Sequence, residues 1–252
     1  MLHKFALLLT SLLLLIGEIK AENPKDIAII YIGNSITYGS EHKDPSKTAP
    51  PVVASRILEK KCKANVYWAN CGVSGATTYD FLPSGKKCFS LVEKAIRKIQ
   101  AQTTEPIIFS IMLGTNDSAC SGTNGAPVSN ADYKKNLLVL IEQLRTRVPN
   151  AIFVLHRPIW YSPNTYNGAM YLKKGLERLT NYASVLKEIV QENKDVKMGD
   201  ESAYAFFEQK HKKFCCAENG NAGTFYLHPN EKGAVKLAKF WCEAIIREAS
   251  LN

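Results

Sequence analysis

The stretch DIAIIYIGNSITYG, residues 26–39, decides the fold of this chain. Residues 27–32 form an unbroken apolar run, which is typical of a strand buried on both faces of a parallel sheet. The run ends at Gly33 and is followed at once by Asn34 and Ser35, two small polar residues. In an open α/β sheet, ligands bind beyond the carboxyl ends of the strands, so this turn is the first place to look for chemistry.

Further apolar runs alternate with amphipathic helical patterns along the rest of the chain. The predicted strands after the first are Val66–Ala69, Ile107–Leu113, Ile152–Leu155 and, more weakly, Val196–Met198. The predicted helices are about residues 51–61, 91–100, 133–147, 172–192 and 231–248, the last of them after Asn230, a good N-cap. This alternation predicts a three-layer α/β/α sandwich with a mainly parallel, flavodoxin-like sheet of about five strands. No repeat or linker divides the chain, so we expect one domain over residues 22–252.

The first 21 residues resemble a secretory signal more than a part of the fold. A short polar start with His3 and Lys4 precedes an apolar run from Phe5 to Ile16, and Ala21 supplies a small residue at the expected cleavage point. The apolar run is short for a bilayer span, although an uncleaved N-terminal anchor is the alternative. We therefore expect a secreted or periplasmic protein without stable membrane insertion.

Charge and cysteine content narrow the function classes. The net charge is +9, but basic residues are mixed with glutamates on the predicted helices and no nucleic-acid-binding motif accompanies them. A solvated basic surface is the better interpretation, and no nucleic-acid partner is expected. Export would allow disulfides, and the odd count of 7 cysteines leaves at least one thiol over. None of these cysteines has the paired spacing of a zinc site, so we predict neither a metal nor a cofactor.

Small polar residues follow each of the first four predicted strands. They are Ser35 after the first, residues 70–77 after the second, residues 114–117 after the third, and His156 with Arg157 after the fourth. A serine nucleophile needs a base, and His228 is the best candidate because Pro229 stiffens its turn just before the last helix. Ser35 alone is typical of an ordinary turn. The small polar residues that follow the other predicted strands, taken together with Ser35, indicate a site.

These blocks resemble the SGNH hydrolase family, also called GDSL esterases. Residues 33–37 (GNSIT) match the serine block, residues 70–77 contain the glycine block, residues 114–117 (GTND) match the asparagine block, and residues 228–230 (HPN) match the histidine block. The resemblance implies that Ser35 is the nucleophile and His228 its base. It also implies an oxyanion hole built from the Ser35 and Gly75 amides and the Asn116 side chain.

Two positions depart from the family pattern. Asn34 replaces the usual Asp before the nucleophile, which keeps its size and hydrogen-bonding capacity. Phe225 stands where the family has the Asp that orients the histidine, and a phenyl ring cannot do that. A main-chain carbonyl could fix the tautomer and leave a Ser–His dyad, which is the favoured interpretation. A carboxylate from elsewhere, Asp200 or Glu218, is the second, and an inactive relative that only binds is the third.

The substrate is less constrained than the reaction. Export and the absence of a long apolar lid segment favour O-acetyl groups on carbohydrates, either sialic acid or plant or host glycans, and the serine and histidine blocks are similar to those of sialate O-acetylesterases. We expect Asn34, His156 and Arg157 to contact the substrate, with Arg157 suited to a sugar carboxylate. Lysophospholipase or thioesterase activity is the alternative, as is a glycan-binding relative without turnover. The oligomeric state is not predicted.

Overall fold

A computed structural model gives the fold and describes residues 26–85 and 87–251. The predicted signal segment, residues 1–21, lies outside the described residues. The described part of the chain contains a five-stranded sheet, a separate two-stranded hairpin and helices on both faces of the sheet.

The predicted parallel sheet is confirmed. Its strands are β1 (Ile27–Gly33), β2 (Val66–Gly72), β3 (Ile107–Met112), β4 (Ile152–Leu155) and β5 (Val196–Met198). They lie in the order β2-β1-β3-β4-β5, and every neighbouring pair is parallel. The strand order reverses at β1, because the chain first moves to β2 on one side and then to β3 on the other. The crevice above β1 is therefore the expected position for a ligand.

Strand register brings three loops to the same height at this crevice. Gly33 at the end of β1 pairs with Gly72 of β2 and with Met112 of β3. The loops that carry Ser35, Gly75 and Asn116 therefore leave the sheet side by side. β1 and β3 are fully buried, whereas β2, predicted as a buried strand, is an edge strand with five half-buried residues.

The helices form two outer layers. They are α1 (Ser35–Tyr38), α2 (Pro45–Thr48), α3 (Pro50–Cys62), α4 (Lys87–Gln100), α5 (Asn130–Arg147), α6 (Leu172–Glu192), α7 (Ser202–Phe214) and α8 (Glu231–Glu248), with 3₁₀ turns at Tyr79–Phe81 and Pro83–Gly85. Right-handed crossovers place α3 on one face of the sheet and α4, α5 and α6 on the other. The last helix, α8, packs on α3 and closes the first face.

Besides the short helices α1 and α2 and the two 3₁₀ turns, two larger elements were not predicted from the sequence. One is α7, and the other is an antiparallel hairpin of β6 (Glu218–Gly220) and β7 (Gly223–Phe225), which lies between α7 and α8. Asn221 and Ala222 form the turn of the hairpin, and Gly223 at the start of β7 has φ +87°, a conformation that favours glycine. The hairpin matters for the site described below, because its first residue, Glu218, contacts His228.

Two general properties complete the fold. No helix in the described part of the chain is long and apolar enough to cross a membrane. All seven cysteines lie within that part and are free thiols in the structure.

Candidate active site

Ser35 lies at the first position of α1, directly above β1. The Asn34 side chain caps this short helix by accepting a hydrogen bond from the Ile36 amide at 3.0 Å. Gly33 is required at the strand end, because a Cβ there would lie 2.9 Å from the Met112 carbonyl oxygen of β3. This turn presents the Ser35 hydroxyl at the floor of a cleft, with 8% of the residue exposed.

His228 lies opposite Ser35, on the segment that enters α8. Its Nε2 is 2.9 Å from Ser35 Oγ. Asn230 caps α8 by accepting from the Gly233 amide at 3.0 Å, and the His228 carbonyl accepts from the Cys216 amide at 2.9 Å. These bonds fix the backbone on both sides of the imidazole, so the ring is held in place before any substrate arrives.

Glu218 contacts the other side of the imidazole. Its Oε2 lies 2.9 Å from His228 Nδ1, and its Oε1 accepts from the His228 backbone amide at 3.1 Å. The favoured interpretation of a dyad oriented by a backbone carbonyl is therefore wrong, and one of the two alternative carboxylates occupies that place. The physical reason is the hairpin, in which Glu218 pairs with Phe225 across the two strands. Phe225 itself is buried in the core.

The contacts of Glu218 determine the tautomer of His228. A carboxylate accepts hydrogen bonds, so Nδ1 must carry the proton that points at Glu218. Nε2 is then left with its lone pair facing Ser35, and the serine hydroxyl donates to it. This is the arrangement in which an imidazole can remove the proton from a serine hydroxyl.

Asn116 reaches the same cleft from the loop after β3. Its Nδ2 donates to the Ala76 carbonyl at 2.8 Å, and its Oδ1 accepts from the Tyr171 hydroxyl at 2.6 Å. Among the described residues, the backbone amides of Ser35 and Gly75 have no protein acceptor. Gly75 has φ +77° and faces open space. The three groups that the resemblance implies as oxyanion donors therefore lie around one cleft.

A buried carboxyl group connects the two oxyanion loops. Asp117 Oδ1 accepts from both the backbone amide and the hydroxyl of Thr78, while its Oδ2 has no hydrogen-bond partner among the described residues. Burial raises the pKa of Asp117 to about 6. The network joins the Asn116 loop to the Gly75 loop and limits their relative movement.

The structure contradicts the three predicted substrate contacts. Asn34 is fully buried and its side chain is used as the cap of α1. His156 is buried below the sheet edge, where Nε2 contacts Ser110 Oγ at 3.0 Å, Nδ1 accepts from the Asp200 amide at 3.0 Å and the ring packs on Trp241. None of these residues lines the cleft.

Arg157, the third of them, stacks its guanidinium on the ring of Tyr204 at 3.8 Å from the ring centre. The pattern that suggested it, a polar residue directly after a strand, is met equally by residues that turn into the core. Arg157 is therefore a structural cation–π partner rather than a carboxylate ligand.

The cleft is a cavity of about 610 Å³. Its lining includes Ser35, Gly75, Asn116 and His228, and also Ser40, Glu41, Asp80, Lys87 and Asn124. Asn124 donates to Asp80 at 2.9 Å and so joins the loops on two sides of the opening. Sequence reasoning did not identify Tyr171 or the individual side chains of this wall, because their loops carry no periodic pattern. The glycines and asparagines of residues 219–223 are the signal that could have revealed the hairpin.

One group of side chains has metal-binding spacing. Single ligand atoms of Glu41, Glu218 and His228 lie within 4.8 Å of one another, and no other group of three such residues was found in the described chain. A metal on Nδ1 would require loss of the proton that the Glu218 hydrogen bond needs, and a metal on Nε2 would take the lone pair that accepts from Ser35. A metal at this place and the hydrogen-bonded arrangement of Ser35, His228 and Glu218 therefore exclude each other.

The chain is similar to known proteins in sequence pattern and in structure. The model of the GDSL-like lipase/acylhydrolase family matches residues 31–235. No curated protein matches the sequence. A member of the lipolytic protein G-D-S-L family from Veillonella parvula has a similar structure, with 18% identity and a TM-score of 0.59 over 88% of this chain and 99% of that one. The lipase/acylhydrolase from Enterococcus faecalis matches with 16% identity and a TM-score of 0.58 over 87% and 95%.

A two-domain esterase active on acetylated mannans is also similar in structure. It shares 14% identity and a TM-score of 0.55, and the match covers 88% of this chain and 49% of that one. The chain therefore spans about half the length of the two-domain esterase. At this identity the likeness concerns the fold.

Proposed function

The chain belongs to the GDSL-like lipase/acylhydrolase family, and we propose that it is a serine esterase that removes acetyl groups from neutral carbohydrates. The observation that carries the proposal is the continuous hydrogen-bonded chain from Ser35 through His228 to Glu218, with distances of 2.9 Å at both links. That chain ends in a polar cleft large enough for a sugar unit.

The reaction follows from these contacts. His228 Nε2 removes the hydroxyl proton of Ser35, and Oγ attacks the carbonyl carbon of the ester. The negative charge that develops on the carbonyl oxygen is stabilised by the amides of Ser35 and Gly75 and by Asn116 Nδ2. As the tetrahedral intermediate collapses, His228 returns the proton to the departing sugar oxygen. Water, deprotonated by the same nitrogen, then releases acetate from Ser35.

Glu218 supports both halves of this cycle. It holds the Nδ1 proton in place, which keeps Nε2 free as the base. It also stabilises the imidazolium that forms each time His228 accepts a proton. The Glu218 side chain is 13% exposed and that of His228 is 8% exposed, so water weakens their attraction very little.

The lining of the cleft favours a small acyl group on a polar substrate. Gly75, Ala76 and Asn116 surround the reacting oxygen, and the described wall offers single apolar contacts such as Val73 and Leu227 instead of a continuous apolar channel. A long acyl chain needs such a channel to bury its methylene groups, each worth about 0.8 kcal/mol. An acetyl group does not need it.

The charges of the cleft favour a neutral sugar over an acidic one. Of the described residues that line it, Glu41 and Asp80 are acidic and Lys87 is basic, and Glu218 adds a further negative charge behind His228. A carboxylate on the substrate would be repelled by this arrangement, and Arg157, the predicted partner for it, lies elsewhere. Activity on acetylated mannans in the two-domain esterase of similar fold agrees with a neutral substrate.

We also propose that the protein acts outside the cytoplasm. The support is the apolar run from Phe5 to Ile16 with its polar start. Export suits an enzyme that acts on polysaccharides, since these substrates do not enter the cell. Detection of the N-terminus by mass spectrometry after expression in the source organism would test it, because cleavage near Ala21 is expected and an intact Met1 would contradict the proposal.

Turnover of a short aryl acetate by the wild type and by Ser35→Ala tests the esterase mechanism. We expect the variant to lose at least about 10⁴-fold in kcat, since the nucleophile is removed. Equal rates would overturn the role of Ser35 and leave a binding protein as the explanation of the cleft.

Acetate release from four substrates then tests specificity. Acetylated mannan and acetylated xylan represent neutral glycans, O-acetylated sialic acid an acidic sugar, and a long-chain fatty ester the lipase or thioesterase alternative. We expect the neutral glycans to be preferred in kcat/KM. Preference for sialic acid would overturn the charge argument, and preference for the long-chain ester would overturn the carbohydrate assignment.

A further inference from the structure

We infer that Tyr171 is a positioning residue for the oxyanion hole, because its hydroxyl fixes the orientation of the Asn116 amide. The inference rests on the proposed function, since it concerns the same reaction. Tyr171 lies just before α6, 55 residues away from Asn116 in the chain, and nothing in the serine, glycine, asparagine or histidine blocks points to it.

The chemistry of the contacts determines which way the Asn116 amide faces. The Ala76 carbonyl only accepts hydrogen bonds, so the group that lies 2.8 Å from it must be the amide nitrogen. Oδ1 then faces Tyr171, and the tyrosine hydroxyl must be the donor in the 2.6 Å contact. One Nδ2 proton is used by Ala76. The second has no protein acceptor among the described residues and is available to an oxyanion.

Tyr171 is itself held rigidly. It is 3% exposed, and its ring packs edge-on against Tyr161 at a centroid distance of 5.4 Å. Its backbone amide donates to the Thr165 carbonyl. Burial raises the pKa of the Tyr171 hydroxyl further above its ordinary value, so the group stays protonated and continues to donate at every pH that the enzyme meets.

Loss of the hydroxyl would leave Asn116 Oδ1 buried without a donor, since Asn116 is only 3% exposed. The amide would then rotate or recruit water, and Nδ2 would lose its fixed aim. A donor that is aimed less well still lets substrate bind but stabilises the transition state less. The expected signature is therefore a fall in kcat without a matching change in KM.

Tyr171→Phe removes the one oxygen atom and keeps the ring. We expect kcat on a short aryl acetate to fall about tenfold with KM unchanged. The matched control is Tyr182→Phe, which also deletes a buried tyrosine hydroxyl. That hydroxyl donates to the backbone carbonyl of Val128 at 2.6 Å instead of to Asn116. This control should lower the melting temperature and leave kcat unchanged.

The double variant separates positioning from a general effect on the fold. In an Asn116→Ala background Tyr171→Phe should cause no further loss of kcat, because the side chain that it orients is absent. An equal loss in both backgrounds, or wild-type kcat in Tyr171→Phe alone, would overturn the inference. Failure of the proposed function would look different, since Ser35→Ala would then keep its activity.

Discussion

Two regions of this protein contain the same three kinds of residue in contact. In the cleft, His228 lies between the Ser35 hydroxyl and the Glu218 carboxylate. Below the sheet edge, His156 lies between the Ser110 hydroxyl and Asp200. His156 directly follows β4, and His228 contacts Ser35 above the end of β1. Both imidazoles have Nε2 at hydrogen-bond distance from a serine oxygen.

The difference is in what each Nδ1 contacts. Glu218 presents carboxylate oxygens, which require a proton on Nδ1 of His228. Asp200 presents its backbone N–H, so Nδ1 of His156 must accept, and its Nε2 carries the proton and donates to Ser110. The Asp200 carboxylate faces away and caps α7 through the amides of Ser202 and Ala203. Opposite tautomers thus make one imidazole a base and the other a structural donor.

The largest expected effect in this comparison comes from replacing the Glu218 carboxylate that contacts Nδ1 of His228. In the wild type, the two carboxylate oxygens of Glu218 accept from two groups of His228, the backbone amide and Nδ1–H. In Glu218→Gln only one side-chain oxygen remains to accept from both. If the amide NH₂ faces Nδ1, the imidazole proton moves to Nε2, which can no longer accept from Ser35. We expect kcat to fall about 10⁴-fold, the size known for a triad whose tautomer is wrong. Steady-state kinetics on a short aryl acetate measure it.

Asp200→Asn is the matched control for that variant, since it changes the same functional group beside the other histidine. It should keep kcat within about twofold, because no reacting group contacts the Asp200 side chain. If the Asp200 variant lost activity and Glu218→Gln kept it, the assignment of the two histidines would be reversed.

A smaller fall is expected when the Asn116 side chain is removed. Asn116→Ala deletes one of three oxyanion donors, which typically costs about 100- to 1,000-fold in kcat. KM should change little, since the donor acts on charge that is absent from the ground state. A variant with unchanged kcat would take Asn116 out of the site and would also remove the reason for Tyr171 to matter.

Sequence reasoning reached the parts of the site that depend on local patterns. Ser35, Gly75 and Asn116 follow strands directly, so the register of a parallel sheet brings them together. Glu218 depends on a hairpin whose strands have three residues each, too short for an alternating pattern, and it was considered only as one of two alternatives. Its position opposite Phe225 exists only once the hairpin is formed.

His156 shows the limit of the same reasoning. It also follows a strand directly, and its position in the sequence is indistinguishable from that of a site residue. Its backbone still bonds to Ile111 of β3, which turns the side chain into the core against Trp241. Side-chain direction after a strand end is set by tertiary packing, and neither composition nor periodicity reports it.

Two buried groups, His156 and Asp117, make the stability of the protein depend on pH in opposite ways. Burial lowers the pKa of His156 to about 3, below its ordinary value of 6.5, so the unfolded chain takes up a proton first and the folded state loses stability as pH falls below 6.5. Asp117 acts in the opposite sense. Its pKa is raised from 3.8 to about 6, so the folded state gains stability as pH falls from 6 to 4. The two groups therefore oppose each other in this range.

Asp117→Asn should remove the opposing effect of Asp117 and leave the pH dependence of stability that His156 causes. We expect stability between pH 6.5 and pH 4 to fall more steeply in the variant than in the wild type, by on the order of 3 kcal/mol. Urea unfolding at the two pH values measures it. Parallel behaviour of the two proteins would mean that Asp117 does not hold its proton in the folded state.

The smallest expected effect is a change in stability, and it comes from comparing the two serines directly. Ser110→Ala leaves the Nε2 proton of His156 buried without an acceptor, which costs about 1–3 kcal/mol of stability. Activity should be unchanged, because Ser110 lies in the core and does not line the cleft. Ser35→Ala leaves an Nε2 lone pair that a water molecule in the cleft can satisfy, so its stability should stay within about 0.5 kcal/mol of the wild type.

The same substitution thus abolishes activity at one histidine and lowers stability at the other. Denaturant unfolding and aryl acetate turnover, measured together on Ser35→Ala and Ser110→Ala, give four values that must divide in this way. A loss of activity in Ser110→Ala with normal stability would show that the tautomer assigned to His156 is wrong. The comparison then tests the central claim, that the group facing Nδ1 decides what a serine–histidine pair can do.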